Sequence, residues 1–316
     1  MFAFYFVPYF LLVLNTFSAN WIHVLLAVAL GFGMAGIGLS VMHDSNHGSY
    51  SRNPKVNKIM SYSLVFLGGY PLNWQLQHNN LHHTYTNIDG ADEDIAPPGF
   101  LRFSPHAEHK KIHKLQFIYA WFFYGLMTIM WTVTKDFKQL NRYTRMGLLA
   151  QVKKNYKREL TELILWKVAY YAYVIVVPMI FMNVPWWHIM LGFFIMHFTA
   201  GLILALIFQP AHVVEETNFP LPDASGNMEN DWAIHQLHTT ANFAPKSLLF
   251  SWYVGGLNFQ VEHHLFPNIS HVHYKKISQI VKDTAHEFNL PYYSQPTFYG
   301  AIVSHTKMLW QLGKAA

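Results

Sequence analysis

Gln260-Val261-Glu262-His263-His264 is the stretch on which the fold reading turns, because two earlier stretches repeat its chemistry. They are His43-Asp44-Ser45-Asn46-His47 and His78-Asn79-Asn80-Leu81-His82-His83. Residues four apart on a helix share a face, so each pair can aim two imidazoles at one point. Neutral imidazole is a ligand for iron, zinc, copper or nickel. The chain has no cysteine, so its metal ligands are nitrogen and oxygen. With 20 histidines some close pairs arise by chance, but three bursts, two of them with adjacent His-His, point to a shared metal centre.

The chain of 316 residues is 52% hydrophobic and only 12% charged, against about 25% charged in soluble domains. The apolar residues fall in long runs, which marks an integral membrane protein. The net charge of +5 does not point to nucleic acid, since basic residues in membrane proteins gather on the cytoplasmic side. The N-terminus shows no secretory signal pattern.

Four runs read as spans: 1–17, 21–42, 161–182 and 186–208. The first two and the last two are joined by short turns, giving two hairpins. Gly31, Gly33, Gly36 and Gly38 allow close helix packing in the second run. Of 22 Lys and Arg, 15 lie in 43–160 and six in 209–316. Lys167, the other one, is placed to snorkel to the membrane surface. Both segments are therefore expected in the cytoplasm. For the second and third bursts to meet, an even number of spans must separate them, so 117–133 is read as a re-entrant or interfacial helix. The expected fold is all-α: four transmembrane helices in two hairpins, with a cytoplasmic helical cap holding a His-rich di-metal site. The whole chain forms one domain.

His43, His47, His78, His82, His83, His263 and His264 supply more nitrogens than one metal takes, about four to six, so two metals are expected. His212, just past the fourth span, is the expected eighth ligand. His197 lies about 15 residues earlier, roughly 22 Å along the helix, and is expected to pack inside the bundle. His106, His109 and His113 sit among lysines and read as surface residues, as do His271 and His273. Asp44, Glu262, Asp92, His235 and His238 are candidates to support the ligands from behind. The acidic patch also includes Asp89, Glu93 and Asp94. Trp74, Trp232, Phe243 and Trp252 are candidate walls of a substrate channel.

The three boxes resemble those of the membrane fatty acid desaturases, and the likeness runs from the first hairpin to Phe266-Pro267. Its most specific piece is Asn258-Phe259-Gln260-Val261-Glu262-His263-His264-Leu265-Phe266-Pro267. The resemblance implies four spans, a cytoplasmic cap and a non-haem di-iron centre that uses O2 to place a cis double bond in an acyl chain. Gln260 occupies a position that is a histidine ligand in most desaturases. Gln there resembles the front-end subgroup, which acts between an existing double bond and the carboxyl end. The substrate implied is an acyl-CoA or acyl lipid.

Many front-end enzymes carry a fused cytochrome b5 domain with a His-Pro-Gly-Gly motif. That motif does not occur here, so electrons are expected from a separate cytochrome b5 or ferredoxin with its reductase. Lys110, Lys111, Lys153, Lys154 and Arg158 are a candidate docking face. The alternatives are a di-iron lipid hydroxylase and, more distantly, a metal transporter or haem carrier. Transport sites lie at the bilayer midplane. The spans carry few ionisable groups: His23, Lys167, His188 and His197.

Overall fold

The computed structural model describes residues 1–314 and is mostly helical, with one short pair of strands. Three helices are long and apolar enough to cross a membrane: Asn20–Asn46, Tyr156–Phe181 and Trp186–His212. A fourth candidate, Lys111–Gly125 with Met127–Arg145, bends by 56° at its break. The opening helix covers Phe2–Val13, not the whole of 1–17. Its 12 residues fall short of the roughly 20 that a span needs. The chain divides into two compact units.

The first unit comprises Met1–Asn46, Lys58–Leu76 and Phe122–Ala205. Its helices approach closely where glycine removes a side chain. A Cβ on Gly33 would lie 2.6 Å from the backbone of Phe4 and Tyr5, and one on Gly201 2.7 Å from the Gly125 carbonyl. His197 is buried within this unit, with Tyr170 Oη at 2.5 Å from Nε2 and Thr128 Oγ1 at 3.0 Å from Nδ1. That is the packing role expected of it.

Lys167 does not snorkel. Its Nζ is buried 2.6 Å from Asp136 Oδ2, and it also donates to the Trp131 carbonyl at 2.9 Å and to the Gly68 carbonyl. Asn73 Nδ2 donates to the Asp136 carbonyl at 2.7 Å. A buried ammonium is tolerable only when a counter-charge and further acceptors replace its water, and all three are present.

The second unit comprises His47–Asn57, Gln77–Trp121 and the chain from Leu206 onward. Ala241–Phe243 pairs in parallel with Tyr293–Gln295. Asn242, in the middle of the first strand, fixes the Gln260–Leu265 helix. Its Oδ1 accepts from Val261 N at 2.9 Å, and its Nδ2 donates to Glu262 Oε2 at 2.8 Å. Val261 then packs with Leu237, Val281 and Ala285, and burying a valine is worth about 1.5–3 kcal/mol. One face of this short helix is thus fixed in a core, leaving His263 and His264 turned elsewhere.

Candidate metal centre

The second burst owes its geometry to a π-helical turn, Leu76–His82. A π turn closes i→i+5 bonds, so it takes more than four residues. Both the fourth and the fifth residue beyond His78 then return to its side. In an α-helix the fifth would stand roughly 140° away. The turn therefore recruits His83 as well as His82.

Seven of the predicted histidines lie in the second unit, and it brings them together. Each of three sets of ring nitrogens fits within 4.8 Å: His82, His212 and His264; His83, His263 and His264; and His47, His78 and His263. His83 Nε2 lies 3.0 Å from His263 Nε2 and 3.3 Å from His78 Nε2. His43 lies in the first unit, buried at the end of the Asn20–Asn46 helix, with its ring 5.5 Å from that of Trp74. Asp44 is buried beside it in sequence.

The outward nitrogens of this cluster are engaged. His82 Nδ1 lies 3.0 Å from both oxygens of Asp92, and His78 Nδ1 lies 2.9 Å from Asp94 Oδ2. Gln77 also donates to Asp94. His264 Nδ1 lies 2.8 Å from Gln236 Oε1, His263 Nδ1 3.2 Å from Tyr274 Oη, and His212 Nδ1 3.3 Å from the Thr239 carbonyl. Such contacts orient imidazoles and set which nitrogen carries the proton. Inside, His82 Nε2, His212 Nε2 and His264 Nε2 are buried and find no hydrogen-bond partner among the described residues; nor do both amide atoms of Gln260. Buried polar atoms are seldom left so, and an ion held by nitrogen and oxygen donors would satisfy them.

Electrostatics favour neutral rings at His83 and His264. Burial, with neighbouring imidazoles adding to it, drives His83 and His264 well below the usual histidine range. Burial pulls His82 down too, but the carboxylates of Asp92 and Asp94 outweigh it and lift that ring to about 8.

The other candidates fall elsewhere. Glu262 is buried against Asn242 and Tyr292, not against an imidazole, and burial raises it to about 7. His235 Nε2 faces the Thr86 carbonyl at 2.7 Å, and Thr86 Oγ1 in turn donates to the His82 carbonyl and to Gln236. His238, half-buried, lies beside Asn218. From the same Trp232–Thr239 helix, Gln236 reaches the cluster. His113 is not a surface residue: it is buried, its Nδ1 accepting from Lys110 N at 3.0 Å.

Among the candidate channel walls, Phe243 packs on Phe250 and Phe298, and Trp252 is exposed. Trp232 is exposed too, yet its Nε1 donates 2.9 Å to the His83 carbonyl. Tyr274 and Gln236 carried no signal in the sequence, since each lies outside the boxes and joins them only through the fold. Asp94 stood in an acidic patch whose role the sequence left open.

The family model described as fatty acid desaturase matches residues 19–296. The chain is 37% identical to an sn-1 linoleoyl-lipid 6-desaturase of Synechocystis sp., covering 97% of this chain and 88% of the relative. It is 34% identical to a protein of the same name from Arthrospira platensis, covering 92% and 77%. It is 36% identical to an acyl-lipid (8-3)-desaturase of Mortierella alpina, covering 93% and 66%.

Proposed function

The chain belongs to the fatty acid desaturase family, and on that premise we propose that its histidine cluster holds two iron ions. The buried, unpartnered Nε2 atoms of His82, His212 and His264 carry this reading. These three would hold one ion. His47, His78 and His263 would hold the other, with His43 joining them by its place one helical turn before His47. His83 stands between the sets, and Gln260 offers an amide oxygen in place of an imidazole. An all nitrogen-and-oxygen donor set suits iron.

When bound, the iron pair would activate O2 to remove hydrogen from unactivated methylenes. Overall, an acyl –CH2–CH2– gives up two protons and two electrons. A donor gives two more electrons with two protons, and O2 becomes two waters. The chain's own part is placement and exclusion. Asp92, Asp94, Gln236 and Tyr274 hold the imidazoles to their orientation. Trp232, exposed and tied to the His83 carbonyl, would form a wall where the acyl chain enters.

The Gln-x-x-His-His box and the names of the relatives support front-end desaturation, with an acyl lipid as carrier. A separate cytochrome b5 or ferredoxin would supply the electrons. The distribution of Lys and Arg supports two hairpins and a cytoplasmic cap, with the bent pair around Leu126 re-entering the membrane.

Lipid analysis of linoleate-fed cells expressing the chain, beside a His263→Ala/His264→Ala variant, tests this. A new double bond on the carboxyl side, absent in the variant, is expected. A hydroxylated product would move the reading to a hydroxylase, and iron-free protein without product would end it.

A further inference from the structure

Tyr274 is buried, and its Oη touches His263 Nδ1 at 3.2 Å. The next two residues, Lys275 and Lys276, are exposed, as is His273. One short piece of chain thus runs from the surface to the imidazole cluster: Lys275 backbone, Tyr274 ring, hydrogen bond, His263. From His263 to Lys282 the sequence has no Asp or Glu, so nothing local offsets the lysines. Val272 and Phe266 in the same segment are also exposed, at 65% and 39%. Apolar contacts beside uncompensated charge are what a transient protein interface uses, the charge steering and the apolar contact holding.

The lysines singled out from sequence are less suited. Lys110 is paired with Glu108, and Lys154 with Glu159, each at 3.3 Å.

We propose that the Phe266–Lys276 segment is the docking site of a small acidic one-electron carrier protein, and that Tyr274 is the positioning residue linking it to His263. The proposal rests on the desaturase reading. Each docking delivers one electron and leaves one carrier oxidised, so two carriers are consumed per double bond.

The test uses the full chain in nanodiscs, with the soluble haem domain of a cytochrome b5 and a plant-type ferredoxin as probes. Affinity is measured on metal-free and iron-loaded protein, and carrier reoxidation by stopped flow on the loaded form. Lys275→Glu/Lys276→Glu should raise the Kd of at least one probe about tenfold or more at low ionic strength, shrinking as salt screens the charges. Lys110→Glu/Lys111→Glu should leave it unchanged. Tyr274→Phe should leave Kd unchanged and slow reoxidation at least about threefold.

Wild-type-like binding by Lys275→Glu/Lys276→Glu, or loss of binding in Lys110→Glu/Lys111→Glu instead, would overturn the site. So would an effect confined to nanodiscs of anionic lipid, which would assign these lysines to lipid phosphate. Unchanged reoxidation in Tyr274→Phe would overturn its linking role. Failure of the desaturase reading shows separately, as wild-type protein making no product even with dithionite, because carrier binding is read without turnover.

Discussion

Asp92 presents both carboxylate oxygens to His82 Nδ1 at 3.0 Å, and one of them also accepts the backbone N–H of Asn87 at 2.9 Å. The carboxylate therefore fixes an imidazole of the cluster and the loop behind it together. Asp92→Asn keeps the size but loses the charge and much of the acceptor capacity. It should lower iron affinity or activity about 10–100-fold, the range for losing a partner behind a ligand. Iron content per chain, measured beside product yield, checks this; full occupancy with full activity would refute it.

Lys167 and Asp136 form a buried pair at 2.6 Å. Removing one partner strands a charge, so Lys167→Met should cost about 3–5 kcal/mol. Lys167→Met/Asp136→Leu should recover most of that loss. Thermal unfolding in detergent distinguishes the cases: a double variant as unstable as the single would show that the pair's hydrogen bonds to backbone carbonyls matter more than its charge balance.

Gln260 has a fully buried amide whose two polar atoms find no partner among the described residues. Stranded polar groups cost about 1–3 kcal/mol each. Gln260→Leu should therefore raise the stability of metal-free protein while reducing iron occupancy. Melting curves with and without iron should shift in opposite directions relative to wild type. A fall in both would mean the amide is satisfied by something other than the metal.

Burial holds the His305 ring down at about 4, its Nδ1 meeting the Val213 carbonyl at 2.7 Å. The folded value lies below the unfolded one of about 6.5, so the folded state resists taking up this proton. Stability from this group is full above about 6.5 and declines as pH falls towards 4, by at most about 1.4 kcal/mol per pH unit. His305→Leu should flatten the pH dependence of the melting temperature across that window. An identical slope in the two proteins would exclude His305 as its source.

The boxes were legible because imidazoles at short helical spacing share a face, and the fold brings seven of them together. His212 was legible from its place just beyond a span. Asp94, Gln236 and Tyr274 could not be assigned, since their roles depend on contacts between distant segments. The charge pattern alone could not anticipate the Lys167–Asp136 pair: a lone lysine near a helix end suggests a route to water, and only the fold reveals a buried partner. His113 misled for the converse reason, as a basic neighbourhood says little about whether one ring in it turns inward.

The π turn at Leu76–His82 also bears on recombination between relatives. It is equivalent to one extra residue wound into an otherwise α-helical stretch. Deleting a single residue between His78 and His82 would let the segment relax to the commoner helix. His83 would then stand four residues after His78 and keep its face, whereas an α-helical turn of unchanged length would rotate every side chain downstream by about 100°, taking His83 and the Trp232 anchor on its carbonyl out of register. Segments exchanged here between desaturases must therefore keep turn type and length matched to each other.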